Sequence, residues 1–330
     1  MPVPEGSKCI ARSGSFILFI LTLIQGCTPT ENDTRLEGPF LGIEPTDTLQ
    51  LVAPGIVSSN LSEYNGTFTP DGREFYYTVS FPGHSVISII KMNTDNTWSQ
   101  PSIAEFSGEY SDVDPLLSPD GKQLYFTSYR PTNDSTKDSR PNIWYVDRIA
   151  DEWSDPQLIS LTNDGDYYSS ITKSGVIYFN VWKTGDIFKA VRTDSNYVIE
   201  KLPAIINSDK SEGDPFISPD EDYLIFRGYN RGVSFGSGDL YISFNIDNQW
   251  TTPENLGEAI NSSNDDICPL VTSDGKLFIF ASNRLIERFK PAADEALEPY
   301  KQRFKTFDNG AFNVYSISAD FIEQKRKRHR

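Results

Sequence analysis

Histidine is nearly missing: His84 and His329 are the only two in 330 residues, and neither lies near a cysteine or an acid-rich cluster. That scarcity argues against an imidazole-based transition-metal centre. Basic residues are also few, with 30 Lys and Arg against 46 Asp and Glu and a formal charge of −16. No long cationic face is available to a phosphate backbone, so nucleic acid is not an expected partner. No apolar run is long enough to span a bilayer, the longest being "FILFILTLI" from Phe16 to Ile24. What is present is a globular composition, 38% hydrophobic and 13% aromatic. It excludes disorder along the whole chain and suits one large β domain or two ordinary ones.

The short apolar run has its own meaning. Lys8 and Arg12 precede it, as in the h-region of a secretory signal peptide. It ends in "IQGC", where Ile24, Gly26 and Cys27 resemble a bacterial lipobox. The resemblance implies cleavage after residue 26 and lipid on Cys27, and Thr28 resembles the sorting position of lipoproteins sent to the outer membrane. Residues 1–26 are therefore expected to be a signal peptide and 27–44 a flexible polar tether, with the membrane reached only through the lipid. Cys9 leaves with the signal and Cys27 is modified. Cys268 then stands alone beside Ile267 and Leu270, which excludes an internal disulfide and reads as an inert buried thiol.

After the tether the chain repeats itself. "TFTPDGREFYYT", "LLSPDGKQLYFTS", "SITKSGVIYFN", "FISPDEDYLIF" and "LVTSDGKLFIF" share one register, with Asp71, Asp120, Ser174, Asp220 and Asp274 at steps of 49, 54, 46 and 54 residues. Each is an apolar strand, a tight turn and an alternating strand. A third strand follows ("NIWYVDR", "DLYISFN"), and a fourth comes after "WSQP", "WSDP" or "WTTP", led by Trp98, Trp153 and Trp250. Four short strands at this period make a propeller blade. The last repeat stops after its third strand, whereas "TDTLQLVAPG" before the first resembles a fourth. The expected fold is all-β: a five-bladed β-propeller of four-stranded antiparallel blades over residues 45–322, closed by an N-terminal strand, with six blades as the alternative. A helical insertion is expected at 285–305 in the last blade, burying its apolar side on that blade, and residues 323–330 form a basic tail expected to be solvated.

The Ser-Pro-Asp-Gly turns, aromatic-rich strands and Trp-Ser-X-Pro motifs resemble the Pro-Asp repeats of TolB-like β-propellers, from about Thr48 to Ile322. The resemblance is specific for fold and weak for function, because such propellers include both binding proteins and enzymes.

In a propeller, the loop leading into the innermost strand and the loop after the second strand open on one face. The lead-in loops carry Asp112 and Asp114, Asp164 and Asp166, Glu212 and Asp214, and Asp265 and Asp266; the other loops carry Arg130, Lys183, Arg231 and Arg284. Two readings stay open. Either the charges pair with one another and tie the blades together, or the ring binds Ca²⁺ or a basic or hydroxyl-rich ligand. No other metal and no cofactor is expected. "GVSFG" at Gly232–Gly236 matches a serine-hydrolase pattern, but between two strands and without a suitable histidine Ser234 is not expected to react.

The function expected from these features is that of an exported, lipid-anchored and monomeric binding or scaffold module. It would act on a cell-envelope protein or glycan, on the periplasmic side of the outer membrane or at the cell surface, without catalysis. The alternative is a polysaccharide-active enzyme using channel carboxylates such as Asp114 and Asp214. A third reading is a component of an outer-membrane assembly.

Overall fold

The computed structural model describes residues 35–132, 140–162, 164–285 and 290–329. Its first strand, β1 (Gln50–Leu51), belongs with the last. Blade 1 holds β2 (Ser62–Phe68), β3 (Glu74–Phe81), β4 (His84–Lys91) and β5 (Ser102–Ile103). Blade 2 holds β6 (Asp112–Leu117), β7 (Gln123–Ser128), β8 (Asn142–Ile149), β9 (Glu152–Trp153) and β10 (Gln157–Ile159). Blade 3 holds β11 (Asp166–Ile171), β12 (Ile177–Val181), β13 (Asp186–Arg192) and β14 (Tyr197–Lys201). Blade 4 holds β15 (Glu212–Ile217), β16 (Tyr223–Tyr229), β17 (Gly238–Ile246), β18 (Gln249–Trp250) and β19 (Glu254–Asn255). Blade 5 holds β20 (Asp266–Val271), β21 (Leu277–Ser282) and β22 (Asn313–Ser318). The innermost strands β2, β6, β11, β15 and β20 touch in sequence and β20 returns to β2, so the ring closes with five blades.

Closure comes from the N-terminal strand. β1 pairs antiparallel with β22, placing Gln50 opposite Ser316 and Leu51 opposite Tyr315. The two ends of the propeller chain thus share one sheet, and β22 has no open edge. Between blades, the second strands bury aromatic side chains completely, including Phe75, Phe126, Phe179, Phe226 and Phe280.

The turns explain the repeat. The hydroxyls of Thr69, Ser118 and Thr272 each donate to the aspartate two residues on at 2.7 Å, while Gly72, Gly121 and Gly275 take φ near +70°. Blade 3 tolerates the loss of its aspartate because Ser174 makes the same contact with Thr172 at 2.8 Å.

Each innermost strand also contains a β-bulge at the same place. The bulged residue is left-handed in every blade: Asn65, Asp114, Tyr168, Asp214 and Cys268, with φ of 47°, 57°, 46°, 50° and 56°. Five side chains that strict alternation would send elsewhere are thereby re-aimed together.

Three expectations are corrected at the periphery. The second half of the supposed tether is docked: Leu41 is buried, Phe40 packs edge-on against Phe68 at 5.3 Å, and Trp98 Nε1 donates to the Gly38 carbonyl at 2.8 Å. Its apolar residues find a groove on blade 1 that sequence spacing does not display. Residues 1–34, with Cys27, lie outside the described residues.

The insertion does contain a helix, α1 (Leu297–Arg303), yet it buries none of its residues and leaves Leu297 62% exposed. Residues 286–289 of that insertion are outside the described residues.

The basic tail is docked on the propeller, although Glu323, Gln324, Lys327 and Arg328 stay exposed. It forms α2 (Phe321–Arg326) and a short 3-10 turn; Ile322 is buried and Phe321 stacks edge-on against Phe278 at 5.2 Å. Arg326 pairs with Asp222 at 2.6 Å, while Lys325 at 3.3 Å and His329 at 2.6 Å converge on Glu254. Burial raises the Glu254 carboxyl, but the His329 hydrogen bond and the Lys325 charge together hold it below the usual carboxylate range. The tail therefore straps blade 5 to blade 4, because apolar side chains and two acids of the neighbouring blade lie under it.

Candidate functional site

The lead-in carboxylates separate into two sets. The first residue of an innermost strand is a fully buried acid in blades 2 to 5: Asp112, Asp166, Glu212 and Asp266. All four are satisfied internally. Asp112 accepts from Ser107 at 3.0 Å, Ser128 at 2.6 Å and Arg130 at 3.0 Å. Glu212 accepts from the Ser208 amide and Arg231, each at 3.0 Å, and from the Ser208 hydroxyl. Asp266 accepts from Arg284 at 2.8 Å and the Ser262 amide. Asp166, which has no arginine, takes the Thr162 amide at 2.8 Å and its hydroxyl; burial raises its pKa against them.

The arginines also serve the chain between blades. Arg130 donates to the Phe106 carbonyl at 3.2 Å and Arg284 to that of Ile260 at 2.6 Å, while Arg231 reaches the carbonyls of Ile205 and Ile206. Each pair thus pins the crossover from one blade to the next. In blade 3 the corresponding loops carry the exposed pair Lys183–Asp164, at 2.8 Å. Asp265 accepts from Ser237 at 2.7 Å.

Sequence reading missed the blade 1 member of this set. Glu63, 1% exposed, accepts from the Ser59 amide and from Asn313 at 3.0 Å each. A hydroxyl four residues before the acid, shared with Thr162, Ser208 and Ser262, was the available signal.

The second set lies at the five left-handed bulge residues. Each amide is served from the neighbouring blade: Asp114 N–H donates to Thr78 Oγ1 at 3.0 Å, Tyr168 N–H to Thr127 Oγ1 at 2.9 Å, and Asp214 N–H to Asn180 Oδ1 at 2.8 Å. In the remaining two, blades 5 and 1, the bulge side chains do this work. Cys268 N–H donates to Asp214 Oδ2 at 3.4 Å, and the Asn65 backbone hydrogen-bonds the Cys268 thiol. Asp214 is further held by Arg227, its Nε 3.4 Å from Oδ2. Burial pushes the Asp214 carboxyl up and the Arg227 guanidinium opposes that rise. Burial, with the Asp214 and Asp114 charges, raises the Cys268 thiol far above its ordinary value, so it is no nucleophile.

Asp114 is the exception. Among the described residues it caps no amide and forms no ion pair; Asn65 Nδ2 approaches at 3.4 Å and Thr127 also hydrogen-bonds it. It is 8% exposed. Burial first, and the Asp214 charge second, raise its pKa from 3.8 to about 7. Half-buried tyrosines surround the two aspartates: Tyr64 and Tyr129 feel the Asp114 charge, Tyr167 feels both, and Tyr229 lies under Arg227 at 4.7 Å. Phe312 packs edge-on against Tyr64 at 6.1 Å.

Among the described residues, no group of three or more His, Cys, Asp or Glu stands close enough to hold a metal ion. Ser234 donates to the Gly236 carbonyl at 2.7 Å, in a loop folded over buried Asp239. The turn face holds a cavity of about 310 Å³ lined by Phe68, Leu116, Ile171, Phe216 and Val271.

No known protein family and no curated protein matches this chain. Among solved structures it is similar to a putative TolB from Agrobacterium tumefaciens, with 17% identity, 67% of this chain and 70% of that one covered, and a TM-score of 0.46. It is also similar to TolB from Acinetobacter baumannii, with 15% identity, 78% and 54% covered, and a TM-score of 0.46. A GH43 endo-arabinanase from Bacillus licheniformis has 13% identity, 79% and 94% covered, and a TM-score of 0.48. Function is therefore read from the site itself.

Proposed function

We propose that this protein is a non-catalytic binding module of the bacterial cell envelope, and that its ligand is held at the tyrosine-lined channel mouth over Asp114. The observation that supports this reading is selective incompleteness. The other innermost-strand carboxylates and the five bulge amides are satisfied from within, whereas Asp114 is buried with spare acceptor capacity beneath half-buried aromatic rings. The lipobox-like "IQGC" supports export and anchoring through Cys27, with the propeller on the periplasmic side of the outer membrane or at the cell surface.

The test is thermal unfolding against a panel of neutral sugars, amines and envelope glycan fragments, with Tyr167→Ala alongside. A ligand-dependent rise in the unmutated protein that Tyr167→Ala abolishes is expected. A rise equal in both proteins, or none with any member, would overturn the mouth as the site. Cys27→Ser is expected to abolish incorporation of labelled palmitate in a bacterial host, and labelling that survives would remove the anchor from this proposal.

A second reading, a polysaccharide-active enzyme, is favoured by one observation: Asp114 titrates near 7 while neighbouring Asp214 is held by Arg227, which divides two carboxyls into a proton carrier and a charged partner. It requires release of reducing ends or unsaturated products from a glycan, lost in Asp114→Asn.

A further inference from the structure

The channel mouth is short of positive charge. The Asp214 charge on β15 bears on Asp114 on β6, and Asp265 before β20 adds to Asp214 and Tyr229; Arg227 on β16 is the cation set against them. Its guanidinium lies against Asp214 and Tyr229. No basic side chain of the described residues lies within ion-pair distance of Asp114. The other titratable groups around Asp114 are the phenols of Tyr64, Tyr129, Tyr167 and Tyr168 and the thiol of Cys268, all uncharged near neutral pH because burial raises them. An anion brought here meets three carboxylates and one committed guanidinium. A neutral polar group relieves none of the imbalance. A compact cation meets a carboxylate in a low-dielectric site, where the attraction is stronger than in water.

We infer, on the reading that the mouth is the ligand site, that the ligand presents an ammonium group to Asp114, and that the Asp114 carboxyl releases its proton to solvent as the ammonium arrives. No covalent bond is made or broken. The ammonium keeps its own protons, and the carboxylate left behind is balanced by its charge. The sign follows from linkage: a cation favours the ionised carboxyl, so binding lowers the pKa of Asp114 and strengthens as pH rises towards and through its free value of about 7.

Isothermal titration of the protein tests this with four probes. Choline carries a quaternary ammonium and Nα-acetyl-lysine amide a primary one; 3,3-dimethyl-1-butanol is a neutral isostere of choline, and glucose a neutral polyol. Both cations, or the one whose shape fits, are expected to bind about 30-fold more weakly at pH 5.5 than at pH 8, as a single proton competing at a pKa near 7 requires. In buffers of different ionisation enthalpy, close to one proton is expected to leave per ligand bound at pH 6. Asp114→Asn is expected to remove this pH dependence and to weaken cation binding at pH 8 by about 10-fold or more. Tighter binding of choline would point to a quaternary headgroup, and tighter binding of the lysine amide to a basic side chain or amino sugar; either supports the inference. Binding of the butanol or of glucose as tight as that of the cations, or cation binding indifferent to pH, would overturn the ammonium while leaving the mouth as the ligand site. Failure of all four probes to bind would overturn both.

Discussion

Asp114→Asn is expected to stabilise the protein by about 4 kcal/mol at pH 8 and by only about 1 kcal/mol at pH 4.5. The rise of the Asp114 pKa from 3.8 to about 7 on folding corresponds to about 4 kcal/mol at about 1.4 kcal/mol per pH unit. With a folded-state pKa above the unfolded one, the favourable contribution is fully present below pH 3.8 and is lost as pH climbs to about 7. At pH 8 the native state holds a carboxylate that burial and Asp214 both disfavour, and the amide removes that charge while keeping the shape. Urea unfolding of both proteins across this pH range measures the effect. A loss of stability at pH 8, or a difference independent of pH, would mean that Asp114 is ionised and paired in the folded protein.

The same strand carries a carboxylate for which the opposite outcome is expected. Asp112 lies two residues before Asp114, is fully buried, and accepts from Arg130, Ser128 and Ser107. Asp112→Asn leaves the Arg130 guanidinium buried against Phe126 and Trp144 without its counter-charge, held by Ser128 and the Phe106 carbonyl. Breaking one side of a buried pair costs about 3–5 kcal/mol. Replacing both partners, as in Asp112→Leu with Arg130→Met, is expected to recover a large part of that loss, since no uncompensated charge remains. Urea midpoints of the two single variants and the double variant form the cycle that checks it. A loss below about 1 kcal/mol for Asp112→Asn would show that the pair does not hold the crossover from blade 1 to blade 2.

These opposed outcomes mark where sequence reading stops. "SDVDP" places Asp112 and Asp114 in one lead-in loop, and by composition alone they are equivalent. Strict strand alternation would even put them on the same face. The bulge after Val113 breaks that alternation, leaving Asp112 beside Arg130 and turning Asp114 towards Asn65 of blade 1. The pattern showed nothing of the bulge, because left-handed φ falls on Asn, Asp, Tyr and Cys and not on glycine. Likewise, nothing near "KRKRHR" announces Glu254 and Asp222, which pair with the tail from 71 and 104 residues away. The apolar side of the insertion helix was legible as a period, but whether it had anything to pack against was not.

What the sequence by itself determined is the architecture. Five turns in one register, three of them with the same hydroxyl, Asp and Gly chemistry, the strands around them and a missing fourth strand at the end are local signals, each legible within a few residues of itself. They suffice for five blades closed by a segment from the N-terminus. Tertiary structure alone decided which charges are spent and which are spare. A carboxylate's fate depends on the dielectric around it and on donors brought from other blades, and those distances exist only once the ring has closed.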